Sequence, residues 1–292
     1  MLEIYFKKIP VYDIQTISCK SSKIRQFEIL PFEEHLKRIK DIRFPHRHDF
    51  YYLLFITSGK GTHTIDFKTY PVTKNQLFFM SPGQVHQWDI KPGTKGFTLF
   101  FDKALFDYTN FKIEEEWSFF HNFIDEASFI VPRAQQKPLT DWFSWVLKEY
   151  NSSTHHQNHI IKHLVSALLY KINDTVSAHK TATNTASKGI IRKFELLIDD
   201  HFLTEHQLAF YADKLCVSAN YLNALCQKTL AKSAKELINQ RLLLESKRLL
   251  QHTSMPVNDL SDYLNFHSPS YFIRFFKKHE AITPITFKAK NS

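Results

Sequence analysis

The chain has 292 residues, of which 43% are apolar and 23% charged, a balance that belongs to folded soluble proteins and excludes a largely disordered chain. Its formal net charge of +9 favours polyanionic partners such as nucleic acid, although charge alone does not establish DNA binding. With 6 Gly there is little material for phosphate cradles. Apolar runs such as 51–56 are far too short to span a bilayer, and three cysteines (Cys19, Cys216, Cys226) do not make a disulfide scaffold. The N-terminus MLEIYFKKIP lacks the apolar stretch of a signal peptide, so a reducing, cytoplasmic setting is expected.

Residues 1–101 read as β structure. Short runs rich in Tyr, Phe, Ile and Val are separated by turn signals at Ser58-Gly59-Lys60-Gly61, Ser81-Pro82-Gly83 and Lys91-Pro92-Gly93. The run FYYLLFI at 50–56 is continuously apolar, which predicts a strand covered on both faces, as in a sandwich or closed barrel. From 102 to 178 the period becomes helical. Pro138 and Thr140 precede a helix over 141–150, and a second helix over about 155–177 carries a stripe of Ile160, Ile161, Leu164, Val165, Leu168, Leu169 and Ile172. Periodicity does not choose between core and partner chain for that stripe. The small polar stretch VSAHKTATNTASK at 176–188 is the best linker candidate. Two domains are therefore expected, at 1–178 and 189–292, with 179–188 between them.

Residues 189–290 are helical again. Ile190, Phe194, Leu197 and Ile198 define one amphipathic helix, and Thr204-Glu-His-Gln207 has the form of a capping box that opens the next, ending near Leu215. Ser218 caps a helix over 219–230. A longer helix runs over about 233–250, Pro256 opens a short one to about 264, and Ser268-Pro269 opens the last. Cys216 and Cys226 read as small packed hydrophobes.

Within this region a short helix, a tight turn and a Ser-capped second helix occur twice, at 207–230 and 257–279. Ser218-Ala-Asn-Tyr-Leu-Asn-Ala-Leu-Cys226 parallels Ser268-Pro-Ser-Tyr-Phe-Ile-Arg-Phe-Phe276, with Tyr and an apolar residue third and fourth after each cap. This is the anatomy of two helix-turn-helix units. The helix between them, roughly 27 Å long at 1.5 Å per residue, has the size of a spacer that holds two reading helices about one DNA turn, ~34 Å, apart. Asn220, Asn223 and Ala224 are expected on the exposed face of the first reading helix, and Ser270, Ile273 and Arg274 on the second. Asn pairs with adenine, Arg with guanine, and Ile touches a thymine methyl. Ser218, Lys228, Lys232, Ser268, Lys277 and Lys278 are the phosphate-contact candidates; the alternative for each is an ordinary solvated surface.

Residues 208–288 resemble the DNA-binding domain of the AraC/XylS family of bacterial transcription regulators. The most specific stretch is Tyr271-Phe272-Ile-Arg274-Phe-Phe276-Lys277-Lys278 followed by Thr283-Pro284, with Arg241-Leu242 and Lys247-Arg248-Leu249-Leu250 in frame. Three family glycines are replaced, by Asn265, Ala231 and Ala281. Asn tolerates a left-handed backbone, whereas the alanines are expected to resist it and to alter the helix ends. The N-terminal half is similar to the family's cupin-like effector domain through Pro45-His46-Arg47-His48, Gly59-Lys-Gly61, Asp66 and Ser81-Pro82-Gly83-Gln84-Val85-His86.

The resemblance implies an α+β multidomain protein: an N-terminal cupin-like β-barrel with a helical dimerisation segment, then an all-α double helix-turn-helix domain. It implies sequence-specific binding to promoter DNA, control by a small-molecule effector, a homodimer, and RNA polymerase as a further partner. Phe44, His46, His48, Tyr52, His86 and Trp88 are the effector-lining candidates, and Ile161, Leu164, Leu168 and Ile172 the dimer interface. His46, His48 and His86 have the approximate spacing of a cupin metal site, but Tyr52 falls where a carboxylate ligand usually stands. They are read as effector-lining or core histidines, with no metal, cofactor or catalytic residue expected. The alternative is a metal-dependent cupin enzyme with a helical C-terminal extension.

Overall fold

The computed structural model describes residues 10–17, 24, 26–38, 44–106, 117–120, 127–178 and 185–290. The chain divides into two compact units, one spanning Val11–Thr181 and the other containing Ala182–Ser292. In chain order the first unit comprises β1 (Val11–Tyr12), α1 (Ile14–Ile17), β2 (Phe27–Pro31), α2 (Phe32–Arg38), β3 (His46–His48), β4 (Tyr51–Ser58), β5 (Gly61–Ile65), β6 (Lys68–Val72), β7 (Gln76–Met80), β8 (Val85–Ile90), β9 (Lys95–Phe101), β10 (Ser128–Ile130), α3 (Arg133–Tyr150) and α4 (Gln157–Ser177). The strands form two five-stranded sheets, β1-β3-β8-β5-β6 and β10-β7-β4-β9-β2. The β1–β3 pair is parallel and the other pairs are antiparallel.

Strand β4 shows why its apolar run does not alternate. Tyr51, Leu53 and Phe55 point into a core shared with α3 and α4. Tyr52, Leu54 and Ile56 join Phe50 in a second core with residues of both sheets, including Ile65 and Trp88. Each face of the strand thus meets apolar partners, and burial of its side chains over 51–56 is complete or nearly so. Gly61 has φ +150, and a Cβ there would collide with the carbonyl of Asp89 on the paired strand β8, so only glycine fits.

The two helices correct two expectations. Helix α3 begins at Arg133, eight residues before the expected start, and contains Pro138. A proline in the second turn loses one intrahelical hydrogen bond but does not end the helix when the flanking residues pack. Leu139, Phe143 and Val146 supply that packing. In α4, Ile161, Leu168 and Ile172 are fully buried within the unit's own core, beside Val165, Leu169 and Val176, and Leu164 is partly buried against it. The stripe proposed as a dimer interface is therefore internal, part of the same core as Phe55, Phe143 and Val146.

Among the described residues the second unit is all-helical: α5 (Thr185–His201), α6 (Leu208–Lys214), α7 (Ala219–Leu230), α8 (Ala234–His252), α9 (Val257–Tyr263), α10 (Pro269–Glu280) and α11 (Pro284–Lys290). Helix α5 takes in 185–188, which the sequence reading places in the linker; 179–184 lie outside the described residues. Its buried Ile191, Phe194 and Ile198 face inward, and the core continues through Leu222, Cys226, Leu237, Ile238, Leu249, Phe272 and Phe276.

Candidate nucleic-acid interface and histidine cluster

Helices α6 and α7 form one helix-turn-helix unit, and α9 and α10 the other. Their turns are built alike. Cys216 (φ 54) and Asn265 (φ 55) both adopt the left-handed conformation. In the first turn Cys216 N–H donates to the Asp213 carbonyl and Val217 N–H to that of Ala212; in the second, Asn265 donates to Asp262 and Phe266 to Ser261. These are the two hydrogen bonds of the Schellman helix end. Cys216 is exposed at this turn rather than packed, whereas Cys226 is buried, and burial pushes its thiol up to about 12. The second turn has one more residue before its cap than the first.

Each reading helix then starts on a serine. Ser218 Oγ accepts from Tyr221 N–H at 3.1 Å, and Ser268 Oγ from Tyr271 N–H at 3.2 Å, with Pro269 in the first helical turn. Each ends on an alanine in the left-handed region, Ala231 (φ 53) and Ala281 (φ 62). The alanines therefore do not alter the helix ends, as their sequence suggested; they adopt glycine's conformation at roughly 1–2 kcal/mol apiece. Thr204 is not a cap either: α6 starts after Gln207 without a side-chain cap, and the reciprocal capping box lies at Ser233 and Glu236 of α8. The loop before α6 is held through its carbonyls instead. Asn265 Nδ2 donates to Thr204 O (2.8 Å), Tyr211 Oη to Glu205 O (2.6 Å) and Lys235 Nζ to His206 O (2.5 Å). The Asn265 bond ties the second turn to the loop preceding the first unit, a link that glycine has no side chain to make.

The expected reading residues separate. Asn220 and Ala224 are exposed on α7, and Ser270 and Arg274 on α10, while Ile273 is half-buried. Asn223 is half-buried and its Oδ1 accepts from Ala234 N–H at 3.1 Å, so it fastens α7 to the start of α8. That bond engages the Oδ1 that bidentate pairing with adenine would use. Two residues on the exposed faces were passed over. Tyr221 and Tyr271 are 49% and 52% exposed at the same position after each cap. Their repetition in the two units was the available signal, and a half-exposed aromatic beside a reading residue offers edge and ring contacts to a groove wall. Arg274 lies over the Tyr271 ring, 5.9 Å from its centroid.

The cations divide between framework and display. Arg241 pairs with Asp199 (2.7 Å) and Glu245 (3.0 Å) and stacks over Phe202 at 3.8 Å; Lys247 pairs with Glu280. Lys232 is half-buried and donates to Gln240 at 3.2 Å, which ties it to α8. Lys228, Lys277 and Lys278 are exposed. Beside α10 runs a groove of about 780 Å³ whose lining includes Glu205, Lys235, Phe266, Arg274, Lys278 and His279.

In the first unit the register of β3, β5 and β8 gathers imidazoles. His46 stands opposite His86, and His63 opposite Trp88. His48 Nε2 and His86 Nε2 are 2.7 Å apart, and His63 Nε2 and His86 Nδ1 3.0 Å. His46 Nδ1 lies 3.0 Å from the Phe44 carbonyl. Burial holds these rings neutral: it lowers His46 to about 4, His63 to about 3, and His48 and His86 well below the usual histidine range. Tyr52 and Trp88 close over them with ring centroids 5.1–6.0 Å from His86, and the Tyr52 hydroxyl hydrogen-bonds Thr98 at 2.7 Å. Buried His35 adds a fifth imidazole against Phe100 and Trp88. Of the expected effector-lining set, His46, His48, Tyr52, His86 and Trp88 come together. The Phe44 side chain does not: it is 45% exposed and contributes only its carbonyl. His63 and His35 were missed because alternation on β5, or on a short helix, does not announce which ring meets which.

Residues 35–169 match the AraC-like ligand binding domain family, and residues 211–290 a helix-turn-helix domain family. The chain is similar to the HTH-type transcriptional regulator YfiF of Bacillus subtilis, 23% identical over 252 residues that cover 84% of this chain and 78% of that protein. It is 20% identical to the HTH-type transcriptional activator RhaR of Escherichia coli over 262 residues, 87% of this chain and 89% of the relative. Among solved structures, ToxT from Vibrio cholerae O395 aligns over 92% of this chain and 99% of its own, with 12% identity and a TM-score of 0.42.

Proposed function

Because the chain belongs to the AraC-type transcription regulators, with a ligand-binding domain ahead of its helix-turn-helix domain, we propose that it reads promoter DNA with the solvent faces of α7 and α10. Asn220 and Ala224 contact bases from the first helix, and Ser270 and Arg274 from the second, with Tyr221 and Tyr271 against the groove walls. Lys228, Lys277 and Lys278 neutralise phosphates, and the groove beside α10, where Lys235, Arg274 and Lys278 outnumber the one carboxylate, Glu205, takes the backbone that passes between the two major-groove segments. Ser218 and Ser268 use their side chains as caps and offer the first-turn N–H groups to phosphates. The observation that carries this reading is the repetition of turn, cap and exposed face on the two sides of α8, a helix of 19 residues and about 28 Å.

Control enters through the barrel, where the buried rings around His86 receive the signal. A small-molecule effector alters which arrangement of the reading units is populated, and its leverage equals its difference in affinity between the arrangements. The dimer is retained in this proposal but moved to the outward faces of α3 and α4, where Trp145, Ile160 and Tyr170 are exposed. RNA polymerase is the further partner of a DNA-bound regulator, and the protein acts by binding rather than catalysis. No helix among the described residues is long and apolar enough to cross a membrane, in keeping with work at cytoplasmic DNA.

The test is the affinity of the full chain for genomic fragments across a salt series, with candidate metabolites present and absent. Affinity that falls steeply with salt, with bound sequences enriched in one motif, supports the reading. A slope near zero contradicts it, since each neutralised phosphate contributes about 0.9 to the slope on duplex DNA.

A further inference from the structure

The histidine cluster has a property that effector lining does not require. The ligand-capable nitrogens of His46, His48 and His86 lie within 4.8 Å of one another, and all three rings are buried. We propose that these three imidazoles bind a divalent transition-metal ion of the zinc and cobalt class, with His63 and the Phe44 carbonyl as outer partners that orient two of the ligands.

Neutral imidazole is the metal-binding form of histidine, and an all-nitrogen site suits borderline ions rather than calcium or magnesium. A ligating histidine characteristically donates its other ring N–H to a fixed acceptor, which sets the tautomer and aims the lone pair. Two of the three rings have that acceptor already. His46 Nδ1–H donates to the Phe44 carbonyl, which leaves Nε2 with the lone pair. His86 Nδ1–H donates to His63 Nε2, which leaves its Nε2 facing His48 Nε2. That 2.7 Å contact needs a shared proton when no ion is bound. Two ligand nitrogens on a tetrahedral ion with bonds of about 2.0–2.1 Å stand roughly 3.3 Å apart, so the pair opens by about half an ångström as the ion takes the proton's place. Tyr52, whose hydroxyl is engaged by Thr98, leaves the ion with three protein ligands.

The proposal departs from the expectation of no metal, drawn from Tyr52 in the carboxylate position, because two of the three histidines already have the outer partners of a ligating ring. This inference does not depend on DNA binding, so its failure and that of the regulator reading are separable.

The experiment uses the full chain, stripped with a chelator and titrated with Co²⁺ and Zn²⁺. One equivalent of Co²⁺ is expected to bind with the visible absorption of a low-coordinate nitrogen site and to be displaced by Zn²⁺. His86→Ala and His46→Ala should abolish the band. His63→Ala should keep the stoichiometry with affinity weakened 10–100-fold, the usual effect of removing an outer partner. The exposed histidines before and on α4 are the rival binders, and H156A with H159A should leave the band unchanged. A band that survives H46A or H86A, one lost in the H156A and H159A variant, or no stoichiometric uptake by the wild type overturns the proposal. Should the His86 variant not fold, histidine ring-nitrogen spectra of the wild type during Zn²⁺ titration replace it. Coupled shifts of the buried Nε2 atoms support the site, and responses confined to exposed imidazoles contradict it.

Discussion

The two helix-turn-helix units share a frame and differ in what they display. Both have a Schellman turn, a serine cap, a tyrosine third after the cap and an alanine in the left-handed region at the end. The first reading helix shows Asn220, Tyr221, Ala224 and Lys228 to solvent, a nearly neutral face. The second shows Ser270, Tyr271, Arg274, Lys277 and Lys278, and its core is aromatic where the first is aliphatic. Backbone geometry is thus repeated by residues that satisfy the same hydrogen bonds, while affinity and specificity are left to positions the frame does not constrain. On the proposed reading the second unit, with three cations of which Arg274 is the bidentate donor, is the anchor, and the first refines register.

The comparison breaks most visibly in the cores. Phe272→Ala should destabilise the domain by about 3–5 kcal/mol and Leu222→Ala by about 2–5 kcal/mol, read by denaturant unfolding, because each leaves a cavity under its reading helix. An equal, small effect of both would mean that the helices are not held from beneath. Next in size, Arg274→Ala should weaken specific binding by about 1–3 kcal/mol and relax preference at one base position, whereas Asn223→Ala should lower stability by about 1 kcal/mol and leave base preference intact. Site selection from random DNA, together with melting curves, separates the two. If Asn223→Ala changes base preference instead, the assignment of its side chain to α8 is wrong.

A smaller effect distinguishes the charged faces. Lys277→Ala and Lys278→Ala should each reduce the salt slope by about 0.9, as should Lys228→Ala, while Lys232→Ala should not change it. Smallest are the helix ends. Ala231→Gly and Ala281→Gly should each stabilise by about 1 kcal/mol, since glycine enters the left-handed region without the side-chain penalty. A loss of melting temperature in either would show that the alanine methyl packs.

Much of this frame was legible because it rests on local rules. The Ser218 and Ser268 caps, Pro269 and the turn at Asn265 each solve a hydrogen-bonding problem within a few residues. Strand β4 was legible for a different reason, since an unbroken apolar run admits few arrangements. What escaped the sequence depended on contacts between distant segments. The α4 stripe reads identically whether Phe55 and Phe143 or a second protomer covers it. Asn223 looks like a base reader until the N–H of Ala234, eleven residues on, arrives beside it. Thr204 and Gln207 fit a capping box, yet the carbonyls around them are claimed by Asn265, Tyr211 and Lys235 from three other elements. His63 gained its significance only when register placed it against His86.

The central claim is that both reading helices occupy major-groove segments of one duplex at once, and guanine N7 methylation-interference footprinting of the full chain on its selected site addresses it most directly. Two clusters of interference on one face of the DNA, about 10 base pairs apart centre to centre, are expected, with the stronger cluster under α10 and lost in Arg274→Ala. A single cluster in the wild-type footprint, or two on opposite faces of the duplex, would contradict the account.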